Sequence, residues 1–208
     1  MTISEIVKSK YPEIYGKYHI RFELGGELKN GTKKRIKQTV SRALEIFNQT
    51  FISNDLHIII EEYSNEFFDQ NGTNKNHIYS LLNENNIEKI KGPFEQSYFE
   101  TKPNGELKEI IDEDILECDL IFYKTNKSDL DVEKVITGKA NLEMGFEPSI
   151  PQDIVFYSPS TTNCMHMYDD RGCDIWSTNK EELLSIYLDL NSWILDYNRK
   201  EIDEIFKK

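Results

Sequence analysis

Hydrophobic and polar positions near the end of the chain fall into two successive periods. From Cys164 to Ser177 (CMHMYDDRGCDIWS) apolar and polar residues alternate on both sides of a short polar turn, the pattern of strands buried on one face. Gly172 is the turn residue best able to take a left-handed conformation, so a three-residue loop of Asp170, Arg171 and Gly172 is expected, with Asp169 opposite Cys173. In that register Tyr168 faces Asp174 and His166 faces Trp176. Met165, Met167, Cys173 and Ile175 share one side, while Cys164, His166, Tyr168, Asp174 and Trp176 share the other. Beyond Ser177 the period lengthens: Leu183, Tyr187, Leu190, Ile194 and Tyr197 recur at spacings of four, three, four and three. Leu184, Leu188 and Leu195 widen this stripe, and Thr178 with Glu181 matches a capping box, which predicts one long core helix.

The same reading carries through the rest of the chain. A short helix is expected from Ile3 to Tyr11, stopped by Pro12, and a half-buried strand from His19 to Leu24, ended by Gly25 and Gly26. A helix capped by Thr32 follows from Lys33 to Phe51, with Ile36, Val40, Ala43, Leu44, Phe47 and Phe51 facing inward. Ile58, Ile59 and Ile60 run unbroken inside a strand from Leu56 to Tyr63, as in a strand covered on both faces. Strands are predicted at Asp119–Thr125 and Asp153–Ser158 and helices at His77–Asn85 and Asp131–Leu142, with an insertion or mobile arm around 69–112. Strands that follow one another directly at the end favour an α+β domain over a doubly wound one. The expectation is one domain over residues 1–208, with a mixed or antiparallel sheet, a C-terminal three-strand meander and long packing helices.

Two stretches, HMYDDRGCDI and WILDYNRKEIDEIF, together resemble a bacterial family known as domain of unknown function 3885, in which a Y-D-D-R-G turn precedes a helix ending W-I-L-D-Y-x-R. The similarity is strongest over residues 139–206, a range that takes in Ala140–Ile150, and reappears at Arg21-Phe22-Glu23-Leu24-Gly25, while residues 64–135 depart from it. It implies a neighbourhood and no activity.

Composition narrows the classes. With 38% hydrophobic and 30% charged residues over 208 positions, this is the composition of a globular protein, and no apolar run approaches the length of a membrane span. The amino terminus lacks a signal-peptide core, and three cysteines fit no disulfide framework, so a cytoplasmic location is expected. A net charge of −12 disfavours non-specific nucleic-acid binding and favours a basic partner. The loop Gly26–Lys33 sits where a phosphate loop would, but Thr32 precedes Lys33, the reverse of the order that places an ammonium and a hydroxyl on nucleotide and Mg²⁺. Lys33, Lys34, Arg35, Lys37 and Arg42 then read as a solvated basic helix face.

Candidate chemistry is sparse. Cys164, His166 and Cys173 lack a fourth ligand at zinc spacing and lie on opposite sides of the hairpin, so neither a metal nor a cofactor is expected. His166, Tyr168 and Asp174 share a strand face, where a carboxylate can orient an imidazole for acid–base work. Arg171 is a candidate partner for Asp196 or Glu201. The reading that results is a non-catalytic acidic module that binds a basic protein, of the inhibitor or immunity type that masks a toxin or nuclease. Its binding residues would come from Tyr168, Asp169, Arg171 and Trp176, and from the acidic run Glu106, Glu109, Asp112, Glu113, Asp114 and Glu117, otherwise a solvated helix face. The alternative is a hydrolase or nucleotide-handling enzyme using His166, Asp170 and Asp174.

Overall fold

In the computed structural model, which describes residues 1–63, 76–101 and 107–207, the alternating stretches form one antiparallel sheet of seven strands. In chain order these are β1 (Tyr18–Glu23), β2 (Asp55–Tyr63), β3 (Ile87–Lys91), β6 (Cys118–Asn126), β7 (Asp153–Tyr157), β8 (Cys164–Met167) and β9 (Gly172–Ser177). The spatial order is β1-β9-β8-β7-β2-β6-β3. The meander β7-β8-β9 is therefore present, and the first strand closes against the last. A separate hairpin of β4 (Phe94–Thr101) and β5 (Leu107–Leu116) stands apart from this sheet.

Each face of the sheet has its own core. Helices α2 (Lys33–Thr50), α3 (Val132–Met144), α4 (Lys180–Asp189) and α5 (Asp196–Phe206) cover one face, where Ile20, Phe22, Ile58, Ile60, Phe156 and Ile175 are buried. Helix α1 (Ile3–Lys10), the loop after it and Phe94 cover part of the other, over Ile59, Leu120, Phe122 and Val155. The three consecutive isoleucines of β2 thus divide between two cores, as expected for a strand covered on both sides.

Several elements differ from the sequence reading. The expected long C-terminal helix is two: after α4 the chain makes a 3-10 turn at Asn191–Trp193, and Ile194 and Leu195 become extended. The break lets Ile194 bridge Phe22 and lets the Leu195 amide donate to the Arg21 carbonyl at 2.9 Å, which covers backbone groups of β1. Leu190 and Ile194 stay buried, whereas Tyr197, expected in the core stripe, is 88% exposed because α5 starts in a new phase. The N-cap of α4 is Asn179, which accepts from the Glu181 amide at 3.1 Å; Thr178 instead hydrogen-bonds Thr162. The helix expected at His77–Asn85 is two 3-10 turns, Ile78–Leu81 and Glu84–Asn86, leading into β3. The acidic run lies mainly on the strand β5, so it is no helix face.

The phase of α2 is also rotated. Arg35, Thr39, Ala43, Ile46 and Phe47 are buried, while Ile36, Val40 and Leu44 are half-buried at the seam with α3. Arg35 is therefore not part of a solvated basic face. Its guanidinium passes over Gly25, where a Cβ would lie 2.2 Å from it, and donates to the Gly26 and Leu28 carbonyls and to Asp170. The buried ion pair makes the docking of the YDDRG turn on α2 obligatory, because removing either partner strands a charge.

Candidate functional site

The hairpin turn is held from both sides. The Asp169 carboxylate accepts from the Arg171 amide and Nε, each at 2.7 Å, so Arg171 pairs within its own turn and not with Asp196 or Glu201. Thr39 donates its hydroxyl to the Asp170 carbonyl at 2.9 Å, and the Leu24 amide donates to the Arg171 carbonyl at 2.7 Å. These bonds shift the ladder by two residues from the expected register: Met167 faces Cys173 and His166 faces Asp174. A shift of two leaves every side chain on its expected face. Gly172 does not adopt a left-handed conformation. It is required because a Cβ there would lie 2.2 Å from the Tyr168 hydroxyl and 2.8 Å from the Phe22 carbonyl oxygen.

On the sheet face opposite the helices, the polar side of this hairpin becomes the floor of a cleft of about 1030 Å³. Residues from α1, the loop at Tyr15–Lys17, and the first strand of the β4-β5 hairpin form its walls. Three successive rungs cross the floor. Trp176 lies between Cys164 and His19; Asp174 lies between His166 and Arg21; Asp153 lies opposite Glu61 on β2.

The charged groups on the floor are paired, His166 and Asp174 with partners on neighbouring strands and Glu61 with Tyr63 on its own strand. His166 Nε2 lies 2.8 Å from Asp153 Oδ1. Arg21 donates from Nε and Nη2 to the two oxygens of Asp174 at 2.7 and 2.8 Å, and His19 Nε2 is 3.3 Å from the same carboxylate. The Tyr63 hydroxyl donates to Glu61 Oε2. The His19 ring stacks on Trp176 with centroids 5.0 Å apart, and Tyr15 meets Trp176 edge-on at 5.4 Å, which builds an aromatic wall.

Burial and partners set the protonation of these groups. Burial works to lower the His166 pKa, but the hydrogen bond and charge of Asp153 outweigh it and hold the imidazole above its usual range. Burial likewise opposes the charge of Asp153 and Asp174, yet His166 and Arg21 respectively keep both carboxyls below the ordinary value. Glu61 is the exception: burial pushes its pKa up, and the hydrogen bond from Tyr63 does not offset it. Burial raises the thiols of Cys164 and Cys173 well above the ordinary range, so neither is an available thiolate.

The predicted residues therefore separate. His166, Asp174 and Trp176 line the cleft, and Tyr168 stacks edge-on to His166 at 6.0 Å. Asp170 is not with them; its carboxylate belongs to Arg35 under the turn. Asp169 and Arg171 make the turn itself. Asp112 and Asp114 are on β5, away from the cleft lining, and Glu117 follows that strand; Glu106 and the side chains of Glu109 and Glu113 lie outside the described residues. The carboxylate that orients His166 is Asp153, on a neighbouring strand, whereas Asp174 is engaged by Arg21 and His19. Among the described residues no group of three metal-binding side chains comes together, and no helix is long and apolar enough to cross a membrane.

A family model described as Domain of unknown function (DUF3885) matches residues 3–198, including the middle of the chain where the resemblance is weakest. No curated protein and no solved structure matches the chain.

Proposed function

The chain belongs to the DUF3885 family, and from that premise we propose that it is a non-catalytic binding module that receives part of a basic protein partner in the cleft over β7, β8 and β9. The observation that carries this reading is the floor itself. Asp174 and Asp153 are each neutralised from within, by Arg21 and His166, and among the described residues no activated nucleophile stands beside them, since Cys164 is buried and its thiol held protonated. A preformed, internally paired surface with an aromatic wall is suited to recognition, because it binds without first breaking its own contacts. The net charge of −12 selects a basic partner, and an inhibitor or immunity-type role that masks a toxin or nuclease is one form this binding would take.

A second reading, acid–base catalysis, is favoured by one specific feature. His166 Nε2 is committed to Asp153, while Nδ1 takes no hydrogen bond from the described residues and is not among the buried unpaired atoms, so one ring nitrogen stays open to the cleft. An imidazole oriented by a carboxylate is the arrangement of a general base acting on water. Two variants separate the readings. Trp176→Arg, which fills the aromatic end, should abolish capture of a protein from cells of the source organism, and His166→Gln should leave that capture intact. If a substrate screen instead finds a hydrolytic activity that His166→Gln removes from a folded protein, the catalytic reading replaces the binding one.

A further inference from the structure

We propose that the Glu61 and Asp153 end of the cleft is a receptor for a guanidinium group, so that the part of the partner inserted there is an arginine side chain; this rests on the binding reading above. Glu61 and Asp153 face each other across β2 and β7, and both line the same cavity. Tyr63 and His166 are their side-chain hydrogen-bond partners, and no lysine or arginine of the described residues lies within ion-pair distance of either carboxylate. Lys139, a buried ammonium whose charge reaches Asp153, is committed to the Gln152 carbonyl at 2.8 Å. Asp153 already shares the charge of His166, so Glu61 is the half-buried carboxylate with no cation of the described residues within ion-pair distance, and a cation entering from solvent relieves the cost of desolvating it.

The rest of the cavity fits an arginine better than a bare cation. Val7 and Leu116 offer apolar contact for its methylene stem, and Trp176 lies two rungs from Asp153 along the floor. A guanidinium donates in a planar fork, which suits two carboxylates on adjacent strands more closely than an ammonium does. The charges that face this end are His166 and Asp174 from the floor, Lys8 and Lys17 from α1 and the loop after it, and Glu95 from β4. Burial raises the Glu61 pKa, so guanidinium binding is linked to release of its proton.

The test is a titration of the full chain carrying Trp193→Phe, which leaves Trp176 as the single indole. Nα-acetyl-arginine amide is the probe and Nα-acetyl-citrulline amide its uncharged isostere, read by histidine ring resonances and by indole fluorescence. The arginine probe should shift the His166 resonance and the Trp176 emission saturably, and its affinity should fall as the pH is lowered through the Glu61 pKa. Citrulline should produce neither change, and Glu61→Gln should weaken arginine binding by about tenfold or more. The proposal is overturned if citrulline binds as well as arginine, if Glu61→Gln binds arginine undiminished, or if neither signal saturates. Should Glu61→Gln fail to fold, the pH dependence of arginine binding to the chain with Glu61 intact decides in its place: an affinity that does not fall with pH overturns the proposal. Partner capture that is lost with Trp176→Arg but untouched by excess arginine probe would remove this inference and leave the binding reading standing.

Discussion

At the scale of single residues, Gly172 and His166 both depend on neighbours that the fold brings against them. Gly172 is fixed by the Tyr168 hydroxyl and the Phe22 carbonyl, which leave no room for a side chain. Gly172→Val should therefore cost about 2 kcal/mol or more through overpacking, measured by chemical denaturation; an unchanged midpoint would show that β1 and β9 part easily. His166 gives a pH signature. Its folded pKa lies above the ordinary value of 6.5, so the stability it contributes is complete below that value and is lost as the pH rises through the folded pKa. Asp153 acts in the opposite direction: its pKa is lowered, so its contribution is present above the ordinary 3.8 and disappears as the pH falls through the folded value. Asp174 and Lys139 also act on His166, with opposite signs. Denaturation free energy should thus decline on the alkaline side of 6.5, and His166→Gln should flatten that decline. A decline of equal slope in the variant would assign it to other groups. Residue identities at this level were only half legible. The polar face holding His166 and Asp174 followed from alternation, but its partners Arg21, Asp153, Glu61 and Tyr63 are on other strands, and nothing local marks which strand becomes a neighbour.

At the scale of elements, capping and periodicity located most helices and strands, and departures occur where a tertiary bond outweighs local preference. The end of α4 is the clearest case. A continuous helical stripe runs from Leu183 to Tyr197 in the sequence, yet the unpaired edge of β1 draws Ile194 and Leu195 into extended backbone. Arg199 closes the break by donating to the Asn191 and Ile194 carbonyls at 3.1 and 2.8 Å. The beginning of α4 supplies a prediction: because Asn179 is the cap, Asn179→Ala should cost about 1 kcal/mol in thermal denaturation. If Thr178→Ala proves the more damaging of the two, Thr178 is the residue that starts the helix. The rotated phase of α2 has a similar origin, since Asp170 selects Arg35 for the interior and so pushes Ile36, Val40 and Leu44 toward the seam with α3.

At the scale of the whole molecule, the net charge of −12 is the property on which the basic-partner proposal can be tested. If the basic-partner proposal holds, association should slow as salt rises past about 0.15 M, where the screening length is roughly 8 Å. Reversing Asp112, Asp114 and Glu117 should lower the association rate of a captured partner measured by surface plasmon resonance, while Trp176→Ala should raise its dissociation rate. Equal association rates for the charge-reversed chain would free β5 from any role in steering. The sequence by itself determined the α+β class, the C-terminal meander, the two-sided burial of β2 and the faces of the β8-β9 hairpin. Those properties follow from periods of two and 3.6 residues, which act over a few neighbours. Tertiary structure alone decided the ladder offset, the division of the last helix, the burial of Arg35 against Asp170 and the meeting of His166 with Asp153 in the cleft. Each of these depends on which distant segments are brought side by side, and the energy that selects them comes from buried ion pairs and backbone hydrogen bonds between those segments, which leave no periodic trace along the chain.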